Sequence, residues 1–397
     1  MNTAPPRRQS WSAGSGTSRL AINQLQLQDV LDEAAVDRFL ATHDVPIVEG
    51  HHCTFLFRGE ADEVHLAQRI LGLPSRLPMR RISATTLWYI VLKVPDGSRI
   101  NYQLEVRRGD HVERFNDTLN QKLSHSPFGA ISVCFSRGYI TPEWTFPDDS
   151  APPGELTELV VDSRAMQREN PVTIYLPARF RRTESYPLLV VHDGGEFLQY
   201  AAAKVVLDNL MHRREIADMV VAFLNPKDRL TEYTNSPEHA RFVTHELLPK
   251  LETEFPLVGD RSGRGLLGAS FGAIASLSTA YRSPRTYGSL VFMSGSFVYA
   301  DAGTDHGGGH VFDPVVKFVN RYRDRPRRVA DRLFVSCGTY EPLIIPNRSI
   351  VPVFEAAGMD VRYVEARDGH TWENWRDRLR DALTWISPGP ALADRSE

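Results

Sequence analysis

Three residue types needed for acyl transfer occur in order along this chain: a serine, an acid and a histidine. The serine is Ser270, set in Gly268-Ala-Ser270-Phe-Gly272 between the apolar run Gly265-Leu-Leu-Gly268 and the helix-forming stretch Ala273-Ile-Ala-Ser-Leu-Ser-Thr-Ala280. Glycines two positions before and after a serine allow a tight strand-to-helix turn that lifts the hydroxyl above a sheet edge. A serine hydroxyl is not ionised at neutral pH, so it needs a base. His370, in Asp368-Gly-His370, supplies the candidate. Glu341, three residues beyond Gly338, is the candidate acid to orient that imidazole. Asp368 is an alternative acid, though only two residues from His370, and a Ser–His dyad is a third possibility. Glu373 reads as an ordinary first-turn helix acid.

Acyl transfer also needs donors for a developing oxyanion. The amide of Phe271, next to the serine, is one candidate. Gly194 or Gly195, in His192-Asp-Gly-Gly195 after the apolar strand Leu188-Leu-Val-Val191, is the other. Candidate substrate contacts are Ser294, Lys227, Arg229 and Arg348, all expected on loops near the same edge; Arg229 could instead pair with Glu232. A metal is not expected. The glycine spacer of His306-Gly-Gly-Gly-His310 fixes no ligand geometry, and the neighbours in His51-His-Cys53 would alternate across a strand.

Positioning these groups requires a sheet with one common edge. From residue 155 onward, strand candidates at 158–162, 172–176, 187–192, 219–224, 265–268, 290–293, 333–337 and 361–366 alternate with helical stretches at 199–213, 237–254, 271–282, 311–323, 347–357 and 371–386. That alternation predicts an α/β domain over 155–390, a mostly parallel sheet with helices on both faces. In such sheets, ligands bind at the carboxyl ends of the strands. His192, Ser270, Ser294, Glu341 and His370 all fall at or just past such ends. The order serine, acid, histidine is that of α/β-hydrolases.

Before it, residues 20–146 predict short helices followed by a small all-β sandwich, from the runs Cys53–Phe57, Glu63–Leu66, Thr86–Leu92 and Ile100–Val106 punctuated by Pro, Gly and Asp. Residues 145–154 read as a linker, and residues 1–19 as a solvated tail without the apolar core of a secretory signal. The 46 basic and 49 acidic residues give a net charge of −3, which suggests neither nucleic acid nor a membrane surface as partner. Three cysteines without a C-x-x-C pair favour a reducing compartment. No apolar run approaches the ~20 residues of a membrane span. The expectation is a cytoplasmic enzyme acting on a small-molecule ester, with no cofactor.

These motifs resemble the enterochelin (enterobactin) esterase family, a branch of the esterase D-like α/β-hydrolases, over residues 46 to 386. The matching stretches are His192-Asp-Gly194, Arg229-Leu-Thr-Glu-Tyr233, Phe242-Val-Thr-His-Glu-Leu-Leu-Pro249, Gly268–Gly272, Ser294-Gly-Ser-Phe297, Glu341-Pro-Leu-Ile344 and Gly369-His-Thr-Trp-Glu-Asn-Trp-Arg376. The resemblance implies hydrolysis of the trilactone of a catecholate siderophore, releasing iron inside the cell, with Ser270, His370 and Glu341 as the catalytic set. Asp368-Gly-His-Thr371 also looks like feruloyl esterases, so a carbohydrate esterase acting on feruloyl or acetyl groups is the competing reading. A non-catalytic binding protein on a hydrolase scaffold is a third.

Overall fold

A computed structural model describes residues 19–299 and 309–390. The described chain forms two compact units. The first comprises residues 19–140 with two short segments from far along the sequence, 339–341 and 367–371; the second comprises the remaining described residues from 141 onward. The expected linker at 145–154 thus lies inside the second unit. Residues 1–18 of the expected tail, and His306 of the glycine-spaced histidine pair, lie outside the described residues.

The first unit opens with helices α1 (Ala21–Gln26) and α2 (Glu33–Ala41), the latter N-capped by the Asp32 carboxylate on the Ala35 amide. Ten strands follow: β1 (Ile47–Glu49), β2 (His52–Arg58), β3 (Glu63–Gln68), β4 (Arg76–Pro78), β5 (Arg80–Arg81), β6 (Leu87–Lys93), β7 (Arg99–Arg108), β8 (His111–Phe115), β9 (Leu123–Ser126) and β10 (Gly129–Phe135). One sheet runs β1-β2-β6-β5 and the other β4-β3-β7-β10-β9, with β8 paired to β7. Period-two alternation explains the layering. On β7, Ile100, Tyr102, Leu104 and Val106 point into a core shared with Cys53, Phe55 and Phe57 of β2. Leu56, on the opposite face of β2, packs with Ile22, Val36 and Phe39 of the two helices. The β-sandwich is therefore closed on one side by helices. Tyr340 belongs to the sandwich core.

The second unit carries one eight-stranded sheet: β11 (Glu155–Ser163), β12 (Arg168–Leu176), β13 (Leu188–His192), β14 (Val220–Leu224), β15 (Arg264–Ala269), β16 (Ser289–Met293), β17 (Arg332–Gly338) and β18 (Asp360–Ala366). Its order is β11-β12-β14-β13-β15-β16-β17-β18. The first two pairings are antiparallel and the remaining five parallel. The helices are α3 (Gly194–Tyr200), α4 (Ala203–His212), α5 (Arg229–Tyr233), α6 (Pro237–Arg241), α7 (Leu248–Glu254), α8 (Phe271–Arg282), α9 (Asp313–Asp324), α10 (Ile344–Ala356) and α11 (Trp372–Ile386). Strands β13, β14 and β16 are buried at every position because both faces are covered. Leu188 and Val190 face a core built with α7, α8, α9 and α10; Leu189 and Val191 face another built with α3, α4 and α11. Each such side chain contributes roughly 1.5–3 kcal/mol by leaving water.

Two expected helices differ in detail. The 199–213 stretch is split at Ala202, whose φ is 48°. The 237–254 stretch changes to π-helical winding over Phe242–Leu247. Pro249 explains the change, because it has no N–H to give the carbonyl one turn back and its ring crowds that carbonyl.

One polar group of contacts sits against the core that Leu188 and Val190 face. His192 and His239 are fully buried, with their Nε2 atoms 3.0 Å apart. His192 Nδ1 lies 3.0 Å from the Ser276 hydroxyl. Two Nε2 atoms in contact require one donor and one acceptor, so both rings cannot be cationic at once. Burial holds both pKa values down, His239 to about 3 with the Arg168 charge adding to the effect. The unfolded chain would take up these protons near pH ~6.5, whereas the folded chain refuses them. Stability must therefore fall as pH drops below ~6.5, by up to ~1.4 kcal/mol per pH unit for each histidine. Urea unfolding between about pH 5 and 6.5 should show this slope, and His239→Gln should make it shallower. An unchanged slope in that variant would contradict the assignment.

Candidate active site

The second unit builds the serine turn. Strand β15 ends at Ala269, and Ser270 adopts φ 56° and ψ −120° before α8 begins. For a residue with a Cβ this conformation costs on the order of 1–3 kcal/mol and must be imposed by its surroundings. The constraint is steric and hydrogen-bonded together. A Cβ on Gly268 would come within 2.2 Å of the Gly272 carbonyl, and one on Gly272 would meet His192 Cβ at 3.2 Å and Asp193 Oδ2 at 3.3 Å. The Ser270 amide donates to the Met293 carbonyl at 2.9 Å, and the Ser296 amide to the Ser270 carbonyl at 3.1 Å. Ser270 Oγ lies 3.2 Å from Ser296 Oγ. Ser296 escaped the sequence reading because serines are common in loops; its motif, Ser294-Gly-Ser296-Phe, was visible but not its partner.

Beneath the turn sits an ion pair that sequence reasoning assigned otherwise. Arg229 donates to both oxygens of Asp193, at 2.8 and 2.7 Å, and to the Ala269 carbonyl at 3.4 Å. Its guanidinium lies 5.5 Å from the Phe271 ring centroid. Asp193 is only 2% exposed, with φ 55°. A forked guanidinium fits both carboxylate oxygens at once, which fixes orientation as well as charge. Arg229 thus joins the ends of β13 and β15. Glu232, its expected partner, instead binds Arg168 bidentately at 2.8 and 3.0 Å.

The two glycines after Asp193 behave differently. A Cβ on Gly194 would overlap Phe223 at 2.4 Å, so only glycine fits there. The Gly194 and Phe271 amides open α3 and α8, where first-turn N–H groups have no intrahelical acceptor. The Gly195 N–H, by contrast, donates to Asn225 Oδ1 at 2.7 Å. Of the two expected glycine donors, Gly195 thus has its N–H engaged by a side chain.

Other candidate contacts also need correction. Ser294 is 1% exposed, and its hydroxyl accepts the Trp375 indole N–H at 2.9 Å. It is held in packing against α11 rather than presented to a substrate. Arg348 binds both oxygens of Glu365 at 2.6 Å, and this hydrogen bonding to Arg348 is the main cause holding the Glu365 carboxyl below its usual range. Lys227 is exposed, and its amide donates to Glu232 Oε1 at 2.9 Å. Of the three expected cations, two are therefore already neutralised by carboxylates.

The acid and histidine lie in the segments that belong to the first unit. Glu341 Oε2 is 2.5 Å from His370 Nδ1, with Glu341 2% exposed. Asp368 is committed elsewhere: its Oδ1 accepts from Arg99 at 3.3 Å, the Gly369 amide at 2.7 Å and the Thr371 hydroxyl at 3.2 Å. Of the two acids weighed from sequence, Glu341 is the one facing the imidazole. Such a carboxylate fixes the tautomer with the proton on Nδ1 and the lone pair on Nε2. Arg99 gave no sequence signal, since a strand-edge arginine ordinarily faces water. Among the described residues no cluster of three or more His, Cys, Asp or Glu could hold a metal. His310 is fully exposed and near Asp313, and His51 pairs with Asp96.

Comparison with known proteins agrees with this architecture. A sequence model of the family described as "Putative esterase" matches residues 163–386. The iron(III) enterobactin esterase of Escherichia coli O6:H1 is 25% identical over 345 residues, covering 80% of this chain and 83% of that protein. The crystal structure of ferric enterobactin esterase from Salmonella typhimurium superimposes with a TM-score of 0.71 at 20% identity, covering 88% of this chain and 98% of the other. A ferulic acid esterase structure gives 0.51 at 20% identity over 59% of this chain. Both structural likenesses concern the fold. The likeness to enterobactin esterases read from its motifs is among those the comparisons return, and with more than half of its length matched by the family, the chain belongs to the esterases of the α/β-hydrolase fold.

Proposed function

We propose that this chain is a cytoplasmic serine esterase that hydrolyses the ester bonds of a catecholate siderophore trilactone, such as ferric enterobactin, and so releases iron. The observation that carries the substrate is the extent of the likeness: the iron(III) enterobactin esterase aligns over 345 residues, well beyond the 163–386 stretch that defines the esterase family. Its three cysteines are buried and none forms a disulfide, in keeping with a reducing compartment.

In this reading Ser270 Oγ attacks the lactone carbonyl while His370 Nε2 takes its proton. Glu341, accepting from Nδ1, stabilises the imidazolium. The amides of Phe271 and Gly194 bind the oxyanion as the carbonyl becomes tetrahedral. Collapse expels the alkoxide, which recovers the proton from His370, leaving an acyl-enzyme. Water, activated by the same histidine, then releases the carboxylate and restores Ser270. Each turnover converts one lactone to an acid and an alcohol, opening the ring that preorganises the catechols around iron.

The ion-paired state of Arg229 and Arg348 favours a second reading. A tris-catecholate of iron is anionic and calls for free cations, whereas a feruloyl or acetyl ester of a carbohydrate is neutral. Product analysis with ferric enterobactin and with a feruloylated oligosaccharide distinguishes them. The proposal expects cleavage of the siderophore, weakening as salt rises because exposed charge attraction is screened beyond about 10 Å at 0.1 M. Preference for the feruloyl ester, independent of salt, would transfer the chain to the second reading.

Ser270→Ala should abolish turnover with the fold intact, as judged by circular dichroism and thermal melting. A variant retaining a tenth of the activity would remove Ser270 from the role of nucleophile. Glu341→Gln should lower kcat by ~10²–10⁴. A mild Glu341→Gln effect would mean that the imidazole does not depend on that charge.

A further inference from the structure

We infer that Arg99, on the first strand-position of β7 in the sandwich, is a positioning residue for the catalytic base, an inference that rests on the reading of His370 as that base. Arg99 is 2% exposed, an unusual place for a guanidinium. Its Nη1 donates to Asp368 Oδ1 at 3.3 Å and to the Thr371 hydroxyl at 3.0 Å. Its own amide donates to the Arg367 carbonyl at 2.9 Å. Asp368 in turn accepts the Gly369 amide and the Thr371 hydroxyl. One guanidinium therefore ties down the residues on both sides of His370.

The preceding residue does the same for the acid. Ser98 Oγ lies 2.5 Å from the Tyr340 hydroxyl. The Tyr340 carbonyl accepts the Leu71 amide at 2.8 Å, and the Tyr340 amide donates to the Asp368 carbonyl at 3.0 Å. Ser98 and Arg99, consecutive in sequence, thus hold the neighbours of Glu341 and of His370, and these two segments are bonded to each other. The remaining link is the Glu341–His370 contact itself.

Stability alone is a poor reason for this arrangement. A buried ion pair loses so much solvation that an apolar pair of similar volume serves a fold as well or better. What one guanidinium nitrogen shared between a carboxylate and a hydroxyl supplies that an apolar pair cannot is direction. The loop from 367 to 371 contains Gly369 and has no regular hydrogen-bond ladder to fix it. The β-sandwich accordingly sets the placement of the imidazole, and misplacement by about 1 Å is enough to cost on the order of 10²-fold in rate.

The test uses the full-length chain and a small chromogenic ester, p-nitrophenyl acetate, with kcat and KM measured well below each variant's melting temperature. Arg99→Gln and Asp368→Asn should each lower kcat about 10- to 100-fold with KM little changed, and the double variant should be no slower than the worse single. Arg99→Lys, which keeps the charge but not the planar guanidinium that places Nη1, should recover part of the loss. Arg107→Ala, which breaks the exposed pair with Glu63, is the control and should leave kcat unchanged. Full kcat in folded Arg99→Gln, or losses that multiply in the double variant, would overturn the inference. If Arg99→Gln does not fold, Asp368→Asn and Arg99→Lys decide in the same way. His370→Ala separates the two layers of argument. Its retention of activity would refute the base itself, whereas an inactive His370→Ala beside a fully active Arg99→Gln would refute only the positioning.

Discussion

The second unit depends on a turn that cannot relax. Ser270 is held at φ 56° because Gly268 and Gly272 approach so closely that a single added carbon would meet a carbonyl at 2.2 Å. The strain is of order 1–3 kcal/mol and is offset by the surrounding sheet. Strand β15 lies between β13 and β16, with side chains entering a core on each face. The Met293 carbonyl from β16 fixes the serine amide from one side, and the Asp193–Arg229 pair braces the turn from the other. The hydroxyl is thereby placed by backbone, rather than by its own rotamer preferences.

Charge in this protein is used for orientation more than for display. Arg229 on Asp193, Arg168 on Glu232 and Arg348 on Glu365 are all bidentate. Arg99 is buried against Asp368. Each joins residues that the chain brings together from separate elements, and the three bidentate pairs use the fork geometry that lysine lacks. Buried histidines follow the opposite rule: His192 and His239 are kept neutral and act as hydrogen-bonding spacers.

Local signals made much of this legible. Short apolar runs separated by amphipathic stretches located the central strands β13, β14 and β16, because strands buried on both faces leave no alternation. The turn at Ser270 was readable because its glycines are required at fixed offsets. Long-range pairings were not. Arg99 meets Asp368 across 269 positions, and Trp375 takes the Ser294 hydroxyl across 81, so nothing near either residue announces the contact. Strands β8 and β9 were missed for another reason: His111–Phe115 and Leu123–Ser126 are short and polar. Position at a strand end suggested substrate contact for Ser294, Arg229 and Arg348, but packing and ion pairing claimed all three.

The central claim is that Ser270 is a nucleophile activated by the turn in which it sits. Covalent trapping tests it most directly. After reaction of the wild-type chain with diisopropyl fluorophosphate, mass spectrometry of the digested protein should find one phosphoryl adduct, on Ser270, and residual esterase activity should fall in proportion to its occupancy. Stoichiometric labelling at another residue, or full activity with Ser270 completely modified, would contradict the account.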